Sequence, residues 1–425
     1  MIQNLKTKTL IPLVMAWFAC LAAAEETASD APYRPEAGKF PPLEKAHAYR
    51  GELVFVDHAT RRGSIRLQGS GMFFRNDPHP FALLPYGIVR YHGAPADLRD
   101  IPLGTVLHVR AFLPPDPKTS TVPVLPVNNK LMDGNHNRGA GTAPAENHVL
   151  LLEDEPSHCR REGKVWKLKE IDLKNNQGMI VATCEPKQGG ADKAIEEKMT
   201  FDAATRIWRG RERLDTEDLI AEGIWPAAGK KSLGDQPVQI GITWRPTEDG
   251  VFTRFHISDI WLDDAAMQRA AHNQTEVHKA FIRSRWMPAW IDTVEYGKFG
   301  RAKVTATLFG GMDASLYDDF KKGSPAMMNS VEMTLKHTHG AYGPAHMASG
   351  GSVINVTKMT GAVPMGSSGI QILFETDLII EGIRPGRVVR VRPGNWPRVQ
   401  VPREEYLNDT SPEERFPTPA IFPKY

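Results

Sequence analysis

Cysteine, charge of one sign and long apolar runs are all scarce in this chain of 425 residues. There are only three cysteines, Cys20, Cys159 and Cys184, and none forms a Cys-x-x-Cys zinc pair. Lysine and arginine total 52 against 50 acidic residues, so the basic excess that marks a nucleic-acid binder is missing and no nucleic acid is expected as partner. Beyond the N-terminus no run approaches the ~20 apolar residues that a membrane helix needs, so no transmembrane segment is expected in the mature chain. Catalytic signatures are lacking too. No GxSxG elbow, phosphate-binding loop or His-Glu-x-x-His occurs, and GSSG at 366–369 has the wrong spacing for an elbow. The chain therefore reads as non-enzymatic, with no cofactor required by any motif.

What is present begins with an export signal. Lys6 and Lys8 precede an apolar run from Leu10 to Ala24, which ends in Ala22-Ala23-Ala24 before Glu25. Small residues at that point are what a signal peptidase reads. Residues 1–24 are expected to be a signal peptide and 25–46 a linker, which places the protein in the periplasm or outside the cell. Cys20, preceded by Ala19, offers a lipoprotein alternative. Cleavage removes two lysines and leaves 50 basic residues against 50 acidic ones. An oxidising compartment permits disulfides, and Cys159 and Cys184 lie at the two ends of one predicted hairpin, so a Cys159–Cys184 bridge is expected.

With 33 prolines and 36 glycines, many at segment ends, short strands and turns are favoured over long helices. The strands recur. YRGELVFVDHATRRGSIRLQG from Tyr49, GKVWKLKEIDLKNNQGMIVATC from Gly163 and AWIDTVEYGKFGRAKVTATLFGG from Ala289 each read as two strands around a polar turn. In the first, Leu53, Phe55, Ile65 and Leu67 mark the expected buried face. Each unit continues with a strand, an Asp-Leu link, a glycine turn and a strand ending in proline. HVLLLEDE at 148–155 and FTRFHISDIWLDD at 252–264 add a fifth strand to the first two units. Five strands in this order suit a small Greek-key barrel of the OB type. The expected fold is mainly β, three tandem small OB-like barrels with two accessory helices. The domains are placed at 47–155, with a long loop at 114–147, at 156–285, and at 286–425, with an insertion at 323–368. One helix is expected at 263–284, N-capped by Asp263 and packing through Met267, Ala270, Val277 and Phe281. The other runs over 313–322, with Leu316 and Phe320 on one face and Gly323 as its stop.

The GELVFVD…GSIRL…ADL…LGTVLHV pattern resembles exported bacterial domains of unknown function with OB-like barrels, which occur in tandem in uncharacterised envelope proteins. The resemblance covers most of residues 49–400, rests on strand, glycine and Asp-Leu positions, and implies fold and compartment only. The third unit departs from it through its large insertion.

That insertion holds MTLKHTHGAYGPAHM at 333–347, with His337, His339, His346, Met333 and Met347. Thioethers and imidazoles together select Cu(I), and His337 and His339 point to one face of a strand. A copper site on these five residues is one reading, and a strand and turn with methionines filling an irregular core is the other. Trp208, Trp225, Trp244, Trp261, Trp286 and Trp290 form a third feature, either sugar-stacking platforms or core and inter-domain packing. RPGRVVRVRP at 384–393 reads as a solvated strand with Arg390 and Arg392 on one face, able to meet an anionic polymer. The sequence thus points to an exported binding or structural module. Its partner is an unknown envelope component or a glycan, with copper handling as the alternative.

Overall fold

The structure, a computed structural model, describes residues 33–36, 38–58, 61–67, 78–112, 147–174, 177–187, 194–247, 253–330, 349–377 and 383–397. Nineteen strands among them build three successive sheets. The first takes β1 (His47–Asp57), β2 (Arg62–Leu67), β3 (His79–Tyr91), the short β4 (Ala94–Ala96), β5 (Val106–Phe112) and β6 (Asn147–Asp154). β1 pairs with β2 and β5, β2 with β3, and β6 with β5, all antiparallel, while β3 and β6 close the ring in parallel. The second sheet repeats this order with β7 (Lys164–Lys174), β8 (Gln177–Pro186), β9 (Ile195–Phe201), β12 (Gly229–Pro246) and β13 (Thr253–Trp261), plus the small strands β10 (Arg206–Arg209) and β11 (Glu212–Leu214). It comes round on itself at one parallel pair, His256 with Thr200.

The third barrel is built differently. β14 (Met287–Tyr296), β15 (Ala302–Phe309), β18 (Ser367–Thr376) and β19 (Val388–Pro393) occupy the places of β1, β2, β3 and β5. The wall between β18 and β19 is a hairpin of β16 (Pro325–Ser330) and β17 (Ser349–Lys358). Both strands come from the expected insertion, which is therefore part of the barrel and not an excursion from it. Strand parity explains the change. Antiparallel neighbours alternate direction, so a ring of five must contain a parallel contact, whereas this ring of six closes with none. Met328 and Val353, one from each inserted strand, are fully buried in its core.

Each barrel's first strand breaks register at the same point, between Leu53 and Phe55, Leu168 and Glu170, and Ile291 and Thr293. A bulge sets two residues opposite one, so the inward positions become i and i+3. Leu53 with Val56, Leu168 with Ile171, and Ile291 with Val294 accordingly face their three cores. Phe55, expected inside, is 55% exposed because the bulge reverses its phase.

Four α-helices are described, two more than expected: α1 (Glu155–Arg161), α2 (Thr216–Ala221), α3 (Asp264–Arg285) and α4 (Ala314–Tyr317). Asp263 caps α3 through the Ala266 N–H at 2.7 Å. Its buried stripe is Ala266, Ala271, His278 and Ile282, about one residue out of phase with the expected face, and Val277 is 54% exposed. That stripe lies against β4 of the first barrel as well as against the second, and Gln274 donates to Asp100 at 2.9 Å. At its far end Arg283 reaches Asp319 in the third unit. α4 is a single turn where 313–322 was expected, although Leu316 and Phe320 are buried. The chain leaves the helix where Asp319 accepts the Trp396 Nε1–H at 2.7 Å. The arginine strand is not solvated either. Arg392 is buried beneath Trp286, 5.5 Å from its ring, and Arg390 donates to the Arg285 carbonyl. The described residues from Arg34 onwards belong to one compact unit.

Candidate functional site at the junction of the first two barrels

The five residues of the expected copper site, Met333, His337, His339, His346 and Met347, lie outside the described residues, as does the loop expected at 114–147 except for Asn147, which begins β6. Of the tryptophans, Trp225, Trp244, Trp261, Trp286 and Trp290 are buried and Trp208 is half-buried, so they serve packing rather than forming open platforms. A dense set of titratable side chains lies elsewhere, where β6 runs into α1. Three consecutive acids, Glu153, Asp154 and Glu155, are each almost fully buried there. An acidic run closing the apolar strand HVLLLEDE was legible in the sequence as an anomaly, since buried carboxylates need partners.

Each acid has a separate task. Asp154 caps α1 by accepting the Ser157 N–H at 3.1 Å and the Ser157 hydroxyl. It also accepts the His92 N–H at 2.8 Å, while Ser157 Oγ accepts the Gly93 N–H at 2.8 Å. His92 and Gly93 form the two-residue β3–β4 turn with φ of 54° and 74°, the positive pair that such hairpins require. Burial pushes the Asp154 carboxyl up to about 7 against the pull of these donors.

Glu155 points into the junction. Its Oε2 meets Arg50 Nη2 and His108 Nε2, both from the first barrel, at 2.7 Å each. Its Oε1 accepts the Trp166 Nε1–H of the second barrel at 3.0 Å. Burial works to raise this carboxyl, but the charge of Arg50 and the contact with His108 outweigh it and hold it well below the usual carboxylate range. The Arg50 guanidinium rests 4.5 Å over the Phe255 ring. His108 stacks on His158 at 3.7 Å.

The two cysteines flank the same carboxylate. Cys159 lies on α1 and Cys184 on β8, opposite Trp166, so they are not the two ends of one hairpin. Their sulfurs are 3.9 Å apart and unbonded, free thiols where a disulfide was expected. Cys159 also donates to Glu155 Oε1 at 3.5 Å. The contact with Cys184 and burial push the Cys159 thiol up, while the contact with Cys159 lowers Cys184.

Glu153 faces the other way, into a cleft of about 580 Å³ between β3, α1 and α3. Arg161 Nε holds both of its oxygens, at 2.9 and 2.8 Å. Arg90, Arg160 and His272 share this cleft. Arg160 donates to the Gly93 carbonyl at 3.2 Å. Arg90, placed beside Glu153 by strand register, makes no hydrogen bond or ion pair among the described residues. Burial lowers its pKa, with Glu153 the largest opposing charge. Fold and site together define a mainly β protein of three tandem small barrels, with a charged junction between the first two. The chain matches no protein-family model, no curated protein and no solved structure.

Proposed function

We propose that this protein is an exported, non-enzymatic binding module of the cell envelope, and that its ligand is anionic. The carrying observation is Arg90, a half-buried guanidinium with no hydrogen bond or ion pair among the described residues, lining a cleft with Arg160 and Arg161. A cleft of this size suits a small ligand or the end of an oligomer. A planar guanidinium favours carboxylate, sulfate or phosphate groups. Three arginines against the single carboxylate of Glu153 leave the cleft positive. The non-enzymatic reading is supported by the commitments of its reactive groups. The Ser157 hydroxyl is bound to Asp154 and to Gly93, and Glu153 is held by Arg161. Export and kinship with exported OB-like domains continue to rest on the N-terminal segment and the strand pattern.

Calorimetric titration with inorganic phosphate, sulfate and acidic oligosaccharides tests the reading. Arg90→Gln should weaken the tightest of these at least ~10-fold, the equivalent of about 1.4 kcal/mol. Arg209→Gln, which breaks the surface pairs with Glu222 and Glu212 away from the cleft, should leave it unchanged. No anion binding by the intact protein overturns the proposal. Stoichiometric copper lost on His337→Ala with His339→Ala would move the function to the third barrel's insertion.

A further inference from the structure

On the opposite side of the acidic run, three ligand atoms converge. The Cys159 and Cys184 sulfurs and a Glu155 carboxylate oxygen all lie within 4.8 Å of one another, and all three residues are buried. A tetrahedral zinc ion with bonds of about 2.3 Å to sulfur and about 2.1 Å to oxygen has a sulfur–sulfur edge of about 3.8 Å and a sulfur–oxygen edge of about 3.6 Å. The corresponding separations here are 3.9 Å between the sulfurs and 3.5 Å from Cys159 Sγ to Glu155 Oε1. A disulfide would need the sulfurs at about 2.05 Å instead.

We infer that Cys159, Cys184 and Glu155 bind one divalent ion of the zinc class. The surroundings fit this ion in three ways. Glu155 Oε2 is occupied by Arg50 and His108, whereas Oε1, on the thiol side, accepts the Trp166 Nε1–H and keeps a second lone pair as the coordinating one once the Cys159 proton is lost. Carboxylate ligands fixed by such outer partners are the usual support of a metal site. The charges also balance: a divalent ion, two thiolates and one carboxylate sum to −1, and the Arg50 guanidinium beside them restores zero. A neutral total matters where burial makes a net charge costly. Finally, two thiolates and one oxygen leave a fourth position for water or another group, and Cys184, the most exposed of the three at 8%, marks the open side. Binding displaces one proton from each thiol to solvent and involves no change of oxidation state. The ion site does not depend on the anion cleft.

The test uses the full chain with its thiols kept reduced, titrated with Co²⁺ and then with Zn²⁺. One equivalent of Co²⁺ should produce thiolate-to-cobalt charge-transfer absorption and the intense visible bands of a tetrahedral ion. Both should disappear when one equivalent of Zn²⁺ is added. Cys159→Ser and Cys184→Ser should each abolish the charge-transfer band. His108→Ala should keep the spectrum and weaken the ion about 10–100-fold, as loss of an outer partner does. His337→Ala with His339→Ala should leave the spectrum intact, which separates this site from the insertion. If the serine variants do not fold, the wild-type spectrum decides by itself. Absence of the charge-transfer band in reduced, folded protein overturns the site. So does a thiol count showing Cys159 and Cys184 joined as a disulfide in the metal-free exported protein.

Discussion

Against the second barrel, the first presents Arg50 and His108 to the buried carboxylate of Glu155. Against the third it presents Tyr86, which meets Trp290 at 5.1 Å, Phe309 at 6.0 Å and Phe40, from the segment before β1, at 5.2 Å. Gly311 completes that contact. Its φ of 84° suits glycine, and a Cβ there would lie 2.8 Å from Ile88. The aromatic junction is apolar and non-directional, and its task is adhesion. The charged junction desolvates an ion pair, which by itself stabilises little compared with apolar packing of the same volume. Groups kept at such a cost point to function, which is why the candidate sites are placed there.

The largest expected effect comes from breaking the charged junction on one side only. Glu155→Leu strands Arg50 and should cost about 3–5 kcal/mol. Adding Arg50→Met should recover much of that loss, since no unpaired charge remains. Urea unfolding of the single and double variants measures both, and a double variant weaker than the single one would contradict the account. At the aromatic junction Trp290→Ala should cost a similar ~3–5 kcal/mol, but here Tyr86→Ala should deepen the loss instead of relieving it.

A smaller, pH-dependent effect is expected where the three barrels meet. His278 on α3 faces Asp97 and Arg90 of the first barrel and Asp313 of the third, and burial lowers it to about 4. Its folded-state value lies below the ordinary one near 6.5, so the unfolded chain binds the proton more readily. Stability linked to His278 is therefore complete above about pH 6.5 and falls away as the pH drops towards 4. Melting of the wild type and of His278→Gln across that window should show the wild type losing ground to the variant at low pH. A constant difference would count against a neutral buried imidazole. The smallest effect is expected at the bulge of β1. Phe55→Ala should change stability by no more than ~0.5 kcal/mol, against about 2–5 kcal/mol for Leu53→Ala.

Much of the fold was legible because local rules carried it. Turn residues and alternation located the hairpins, Asp263 located the start of α3, and the recurrence located the barrels. The bulges were not legible, because a register break depends on the partner strand. The face of α3 was misjudged by one position because neighbours in three barrels decide which stripe is covered. Cys159 and Cys184 were singled out in the sequence. Arg50, His108 and Glu155 were not, since they lie on three separate elements and carry no motif spacing. The acidic run at 153–155 was the one available signal.

By itself the sequence determined the β class, the three-fold recurrence and the two cysteines, all of which follow from the period and chemistry of neighbouring residues. Only the tertiary structure decided that the insertion becomes barrel wall and that Glu155 is turned towards the thiols while Glu153 is turned towards the arginine cleft. Ring closure and the alternation of a strand running into a helix cap are properties of the assembled chain, and no local pattern encodes them.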